Sequence, residues 1–270
     1  MVDRFGGGGG SEPRVPGQQA VERVGWVAAL AALAAFLVLW ELTARLMNTP
    51  VLPGPMAVWR LAVTGGEPAF LSHLWASTRR VLLSLVIALL AGVPLGLFVG
   101  RRRDVDRVVG PLVYLTYPVP KIVLLPVILT LLGLGDSSRV FLITLTVFYQ
   151  VLVTTRDAVR TLDPAAILSL RSLGGGEWDL YRHVLFPASL PKIFTALRIS
   201  VGTAIAVLFF AESFATTSGL GYLIMDAWGR ANYEAMFLGI AAMSLLGLAL
   251  YLLIEASERR WCRWSPGGGS

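Results

Sequence analysis

Residues 159 to 199 form a polar stretch carrying Arg160, Arg171, Arg182, Lys192 and Arg198 between two strongly apolar segments. Side chains of these types at this spacing make a shaped, charged surface rather than a catalytic centre. Asp163 followed by Pro164 is a good helix start, with an acceptor at the cap and a proline in the first turn, where its missing N–H costs nothing. A short helix over 164–173 follows, and the glycines at 174 to 176 stop it, because glycine readily takes the left-handed conformation that ends helices. A second short helix over 177–185 is expected to run into Pro187, with Pro191 close behind. Two such helices at an angle would expose Leu168, Leu173, Trp178 and Tyr181 beside Arg171 and Arg182, a compact knob able to fill a groove on a partner protein. The competing reading is an amphipathic interfacial element, with Trp178 and Tyr181 at lipid headgroups and the arginines on anionic lipid. Composition alone leaves the two level.

Other chemistry is sparse. No GxxxxGK[ST] phosphate loop occurs, since the Gly174-Gly175-Gly176-Glu177-Trp178 run lacks the lysine and hydroxyl residue that hold phosphate and magnesium. Nucleotide hydrolysis therefore has to belong to another subunit. His73 and His183 fall in different predicted compartments and Cys262 has no spaced partner, so no metal site, no catalytic residue and no intrachain disulfide are expected. An intramembrane enzyme would need a nucleophile and a base at membrane depth, and both histidines lie in predicted loops. Lys121 sits within an apolar segment, where a charge is expensive and marks function by default. It is a candidate cation for an anionic solute, with Tyr117, Tyr149 and Gln150 along the same path. The alternative is that Lys121 snorkels or binds carbonyls left open by neighbouring prolines. Glu212, near the outer end of a later span, is a candidate for the same path, although pairing structurally or closing a gate is the commoner role. Ser200, Gly202, Thr203 and Ala206 are small residues at helical spacing, which usually signals close helix packing.

The elements that position these residues follow from hydropathy. A chain that is 55% hydrophobic and 15% charged cannot cover a soluble surface of this size with polar groups, so the bilayer is its solvent. The mean hydropathy is +0.68. Six segments approach the roughly 20 apolar residues a helix needs to cross a membrane, near 24–44, 80–100, 108–134, 138–156, 195–215 and 235–255. The third holds Pro111, Pro118, Pro120 and Pro126 and is expected to be bent or broken. The result is an all-helical, polytopic protein with six transmembrane helices.

Cytoplasmic flanks retain positive charge. Arg101, Arg102, Arg103 and Arg107, the loop arginines from Arg156 to Arg198, and Arg259, Arg260 and Arg263 fall on one side, which places both termini in the cytoplasm. Arg79 and Arg80 are the main exception. The arginines flank spans instead of forming one basic face, so no nucleic acid is expected as a partner. Residues 1–22 and 265–270, rich in glycine and proline, read as flexible tails, and nothing in the first segment resembles a cleaved signal peptide.

Gly174, Val184 and Phe186-Pro187 fall where binding-protein-dependent ABC importers carry their signature loop, written EAA, three residues, G, nine residues, I, one residue, LP. The chain resembles the permease subunit of such an importer over about residues 25 to 264. The runs at 52–55, 117–121, 171–174, 186–191, 211–213 and 219–222 resemble the nitrate, sulfonate and taurine branch. The resemblance implies the type I permease fold, with a first transmembrane helix at 23–47 and a permease core at 75–260 containing a cytoplasmic coupling loop at 159–195. It implies docking of that loop, through residues between Asp163 and Pro191, on a separate ATP-binding cassette ATPase present in two copies, with ATP and Mg on that ATPase. It also implies a second copy of this chain, surrounding lipid of the cell inner membrane, and an extracytoplasmic solute-binding protein that meets outer loops including Gly219 to Tyr222. The expected solute is a small anion of the nitrate, sulfonate or taurine type. The chain departs from the family at Leu168, Ser169 and Leu170, where the acidic residue that anchors the loop should stand. Asp163 and Glu177 are the candidates to replace it. The alternative class is an ion-coupled secondary transporter, which would place paired broken helices in matching halves.

Overall fold

Helix ends in this protein are set by proline, glycine and a few side-chain caps. The computed structural model describes residues 26–264 except 66 and 68, with the backbone alone at Trp26. The tails expected at 1–22 and 265–270, and the first residues of the expected 23–47 helix, lie outside the described residues. The described residues contain helices, turns and loops and no strand.

The chain divides into two compact units, residues 1–56 and 57–270. The first contains helix α1 (Trp26–Met47), apolar and exposed over nearly all its length, as suits a helix solvated by lipid. Beyond it the chain turns through Asn48 in the left-handed region, and the Trp40 indole donates to the carbonyl of Pro53 at 3.0 Å. Helix α2 (Pro55–Thr64) starts at the end of this unit and is too short to span.

The second unit is built on α3 (Phe70–Arg101) and α6 (Asp136–Arg160). Ser84, Ala88, Gly92, Gly96 and Gly100 recur every four residues on α3 and leave a groove that α6 enters. A Cβ at Gly96 would stand 2.7 Å from Thr155 Cβ and 2.8 Å from the Leu152 carbonyl, and one at Gly100 2.6 Å from the Arg156 carbonyl. Small residues permit this approach where lipid offers no hydrophobic drive to association. Helix α9 (Phe186–Ser213) packs on α6, and α10 (Leu220–Gly229) and α11 (Tyr233–Trp261) close over α9. The small residues expected to pack on α9 do so at one position only. Ser200 is buried, whereas Gly202, Thr203 and Ala206 are exposed, because the buried stripe of α9 runs through Ile193, Leu197, Ala204, Leu208 and Ala211 on the other face.

The proline-rich segment divides as its chemistry requires. Helix α4 (Arg103–Thr116) keeps Pro111 within it, a break follows at 117–120, and a 3₁₀ turn (Lys121–Leu124) leads into α5 (Leu125–Leu132). The two halves are bent by 83°. Pro126 stands in the first turn of α5, where no N–H is needed, so the break belongs to Pro118 and Pro120. Among the described residues five helices are long and apolar enough to cross a membrane, six if this bent pair is counted as one broken span. Cys262, just past α11, is buried; burial and the nearby Glu258 carboxylate push its thiol up, away from reactivity.

Candidate docking loop and translocation cavity

Between α6 and α9 the chain makes the knob that its polar residues foretold. Helix α7 (Pro164–Ser172) is capped by Asp163, whose Oδ1 accepts the Ala165 N–H at 2.8 Å. Gly174 adopts φ +81°, and the Gly175 N–H closes on the Leu170 carbonyl at 3.1 Å, ending α7 in a tight corner. A Cβ at Gly175 would lie 2.7 Å from Leu170 Cγ, so the corner needs glycine there as well. Helix α8 (Glu177–Leu180) begins with the Gly176 N–H donating to Asp179 Oδ2 at 3.0 Å.

The expected second helix does not stop at Pro187. A wide π turn over Tyr181–Leu185 carries α8 directly into α9, with the Phe186 N–H reaching back five residues to the Tyr181 carbonyl. Widening the turn just ahead of Pro187 shifts the hydrogen-bond register, so the missing proline donor falls in the first turn of α9 and the helix continues. Pro187 and Pro191 are therefore part of a spanning helix. The knob's exposed apolar residues are Leu168 at 66%, Leu173 at 85% and Trp178 at 73%. Tyr181, expected beside them, is half-buried against the core next to buried Leu180 and Leu185. The residues at 168 to 170 carry no acid; the acidic tie is Glu177, whose Oε1 accepts from Arg171 Nη2 at 2.6 Å and faces Arg101 Nη2 at 3.5 Å.

The bend in the third span opens a cavity of about 440 Å³ lined by Tyr117, Lys121, Thr146, Tyr149, Gln150 and Thr203 together with their neighbours. Four of the five residues proposed from sequence for the path thus share one space. Within it the Lys121 ammonium is held by backbone carbonyls and an aromatic face. Its Nζ donates to the carbonyls of Thr116 and Tyr117, both at 2.7 Å, and stands 4.5 Å from the Tyr149 ring centroid and 5.6 Å from that of Tyr117. Two of the three ammonium protons are used by these carbonyls, and the charge faces the Tyr149 ring. These are carbonyls at the proline break, one of the two roles the sequence had offered for Lys121.

Glu212 is elsewhere. It is buried at the opposite end of the bundle from the knob, where its two carboxylate oxygens accept from Ser77 Oγ at 2.9 and 2.7 Å, from Arg80 Nη1 at 2.6 Å and from the Gly221 N–H at 3.0 Å. All five donors of Arg80 are used: two go to Asp136, one to Glu212, one to the Ser218 carbonyl and one to its hydroxyl. Arg139, 1% exposed, places its five donors on the carbonyls of Leu134, Gly135, Ala211, Phe214 and Ala215. Arg79 also pairs with Asp136. Of the two arginines that depart from the expected positive-inside pattern, Arg80 is buried with its charge paired inside the protein, and Arg79, half-exposed, is paired with Asp136. The signal was available in sequence as Arg80, Asp136, Arg139 and Glu212, each at the end of an apolar span, but spacing alone did not reveal that they meet. Among the described residues no group of His, Cys, Asp or Glu could hold a metal ion.

A helical bundle of apolar spans with one broken span, a half-open cavity at the break and an exposed knob fits a membrane permease. Residues 92–263 match the model of the binding-protein-dependent transport system inner membrane component, and the chain belongs to that family. It is 31% identical over 243 residues to the taurine transport system permease protein TauC of Escherichia coli, covering 87% of this chain and 88% of that one. The aliphatic sulfonates transport permease protein SsuC of the same organism, itself named as putative, is 28% identical over 233 residues, covering 84% and 88%. In fold, the chain resembles the permease seen in inward-facing conformations of the MetNI methionine ABC transporter, with a TM-score of 0.60, 19% identity, and coverage of 72% of this chain and 98% of that one. The protein is thus a multi-pass inner-membrane permease component of a binding-protein-dependent ABC importer. An ion-coupled secondary transporter is not favoured by these likenesses.

Proposed function

We propose that this chain works as a homodimer around a central path, with one ATPase subunit docked on each copy through the 163–191 segment and both termini in the cytoplasm. ATP and Mg are held by the ATPase pair, and hydrolysis takes place there. The observation that carries this reading is the knob itself. Leu168, Leu173 and Trp178 stand exposed around a glycine corner, in a segment flanked by arginines that belong on the cytoplasmic side. Apolar side chains grouped on a rigid projection, with Arg171 and Arg182 at its rim, have the layout of an interface core and its polar border.

ATP binding draws the two ATPases together, the docked knobs follow, and α9 transmits the displacement because the π turn joins it to the knob without a hinge. An extracytoplasmic binding protein delivers solute to the outer loops around Gly219 to Tyr222, and the solute passes the cavity at the proline break. The named relatives transport taurine and aliphatic sulfonates, which supports a small anionic or zwitterionic solute here. The experiment is affinity purification of this chain, co-expressed with its chromosomal neighbours, in mild detergent with mass spectrometry of what stays bound. A soluble subunit with a Walker phosphate loop, near one per permease copy, is the expected result. Its absence from an intact, folded preparation would overturn the docking assignment.

A further inference from the structure

We infer that Glu177 ties the docking knob to helix α3, so that the knob drives a third spanning helix besides α6 and α9, which the chain itself joins to it; this rests on the docking reading above. Helix α7 has no fully buried residue. Its hold on the rest of the protein comes from the partly buried Ile167 and Leu170 and from polar contacts. Covalently the knob joins α6 through residues 161–163 and α9 through the π turn, and the chain does not link it to α3. Its polar tie to α3 is the carboxylate of Glu177, one oxygen of which lies 2.6 Å from Arg171 Nη2 and 3.5 Å from Arg101 Nη2. Arg101 is the last residue of α3, so this one oxygen links α7, α8 and α3.

The position suits the task. Glu177 opens α8, where the free N–H groups of a first turn favour a negative charge, and Asp179 fixes that turn by accepting the Gly176 N–H. The corner at Gly174 and Gly175 folds α7 back so that Arg171 reaches Glu177 six residues on. Asp163 makes no ion pair among the described residues; its Oδ1 caps α7 instead. Arg101 is three-quarters buried, and no other acidic group pairs with it among the described residues. Glu177 is consequently a positioning residue: it touches neither solute nor nucleotide, and it sets where the knob sits relative to α3.

The test uses the permease co-purified with its ATPase in mild detergent, scored by ATPase retained per permease and by the thermal midpoint of the permease alone. Glu177→Gln is expected to retain about fivefold less ATPase after washing, with the midpoint unchanged because Glu177 itself is half-exposed. The exchange Glu177→Arg with Arg101→Glu still leaves one carboxylate between two guanidinium groups and is expected to recover at least half of the wild-type retention. Unchanged retention in Glu177→Gln overturns the proposal. A weakened Glu177→Gln that the exchange does not rescue also overturns it, since Glu177 would then be touching the ATPase directly. Wild-type permease that retains no ATPase at all removes the docking reading, and the proposal with it, and is told apart by the wild-type lane alone.

Discussion

Arg80 Nη1 and Glu212 Oε1 meet at 2.6 Å with side chains 3% and 0% exposed, joining α3 to α9 inside the bundle. A buried pair of this kind gains little over a well-packed apolar pair, yet removing one partner leaves the other charge stranded at a cost of about 3–5 kcal/mol. Glu212→Ala should therefore strongly lower the thermal midpoint of the detergent-solubilised protein. Arg80→Met combined with Glu212→Leu, which removes both charges, should lie well above the single variant, subject to what Asp136 loses. Equal midpoints for the single and the double would show that the pair carries no such strain.

The same carboxylate dictates a glycine. Gly219 holds φ +112°, and a Cβ placed there would stand 2.3 to 2.5 Å from the Glu212 carboxyl group. Gly219→Ala is expected to destabilise by about 1–3 kcal/mol through backbone strain alone, and further by displacing Glu212. Because both substitutions act on one network, Gly219→Ala added to Glu212→Ala should cost less than the sum of the two, a non-additivity that a double-mutant cycle of midpoints would reveal.

Glycines on α3 and α9 predict opposite outcomes. Gly96→Val drives a branched side chain into Thr155 and the Leu152 carbonyl and should cost about 1–3 kcal/mol or more by overpacking. Gly202 has no atom within 4 Å of its would-be Cβ and lies inside α9, so Gly202→Ala should raise the midpoint of the single chain slightly, through about 0.5–1 kcal/mol of helix propensity. Midpoints for the two variants in the same detergent check both statements.

Much of this protein is legible in its residues. The six spans, the bend at the third, the cap at Asp163 and the corner at Gly174 each follow from a local rule, whether hydropathy, a missing proline donor or a left-handed glycine. What stayed hidden depends on residues far apart in sequence. Arg80 and Glu212 are separated by 132 positions, and no local pattern announces that they pair. Proline ends a helix by default, so the run through Pro187 is not legible locally; only the wide turn at Tyr181–Leu185 cancels that default. On α9 the small residues at helical spacing were visible, but the face they occupy was settled by α6 and α11.

Lys121 bears on the cavity. If its ammonium serves the open carbonyls of Thr116 and Tyr117, Lys121→Met loses two charge-assisted hydrogen bonds. The site is open enough for water to replace part of them, so the cost should be about 1 kcal/mol, a modest lowering of the midpoint. Lys121→Arg retains a cation able to span two carbonyls and stack on Tyr149, and should restore most of the loss. A Lys121→Met protein as stable as the parent would free the ammonium from this structural duty and return it to the solute.

Leu173 gives the sharpest test of the knob. It is 85% exposed, so replacing it leaves the fold of the single chain almost untouched, and any loss belongs to whatever covers it. Fully burying a leucine in an interface contributes about 1.5–3 kcal/mol, which corresponds to roughly 10- to 150-fold in affinity. Leu173→Glu, which also brings a charge into the apolar centre, should therefore reduce ATPase retained in a pull-down by at least about tenfold, with an unchanged elution profile for the permease itself. Leu71, 74% exposed in the first turn of α3 at the far end of that helix, is the control. Leu71→Gln should leave retention at the parental level, because the ATPase cannot reach it. Equal retention in Leu173→Glu and Leu71→Gln would mean that the knob's apolar face is not where the ATPase sits.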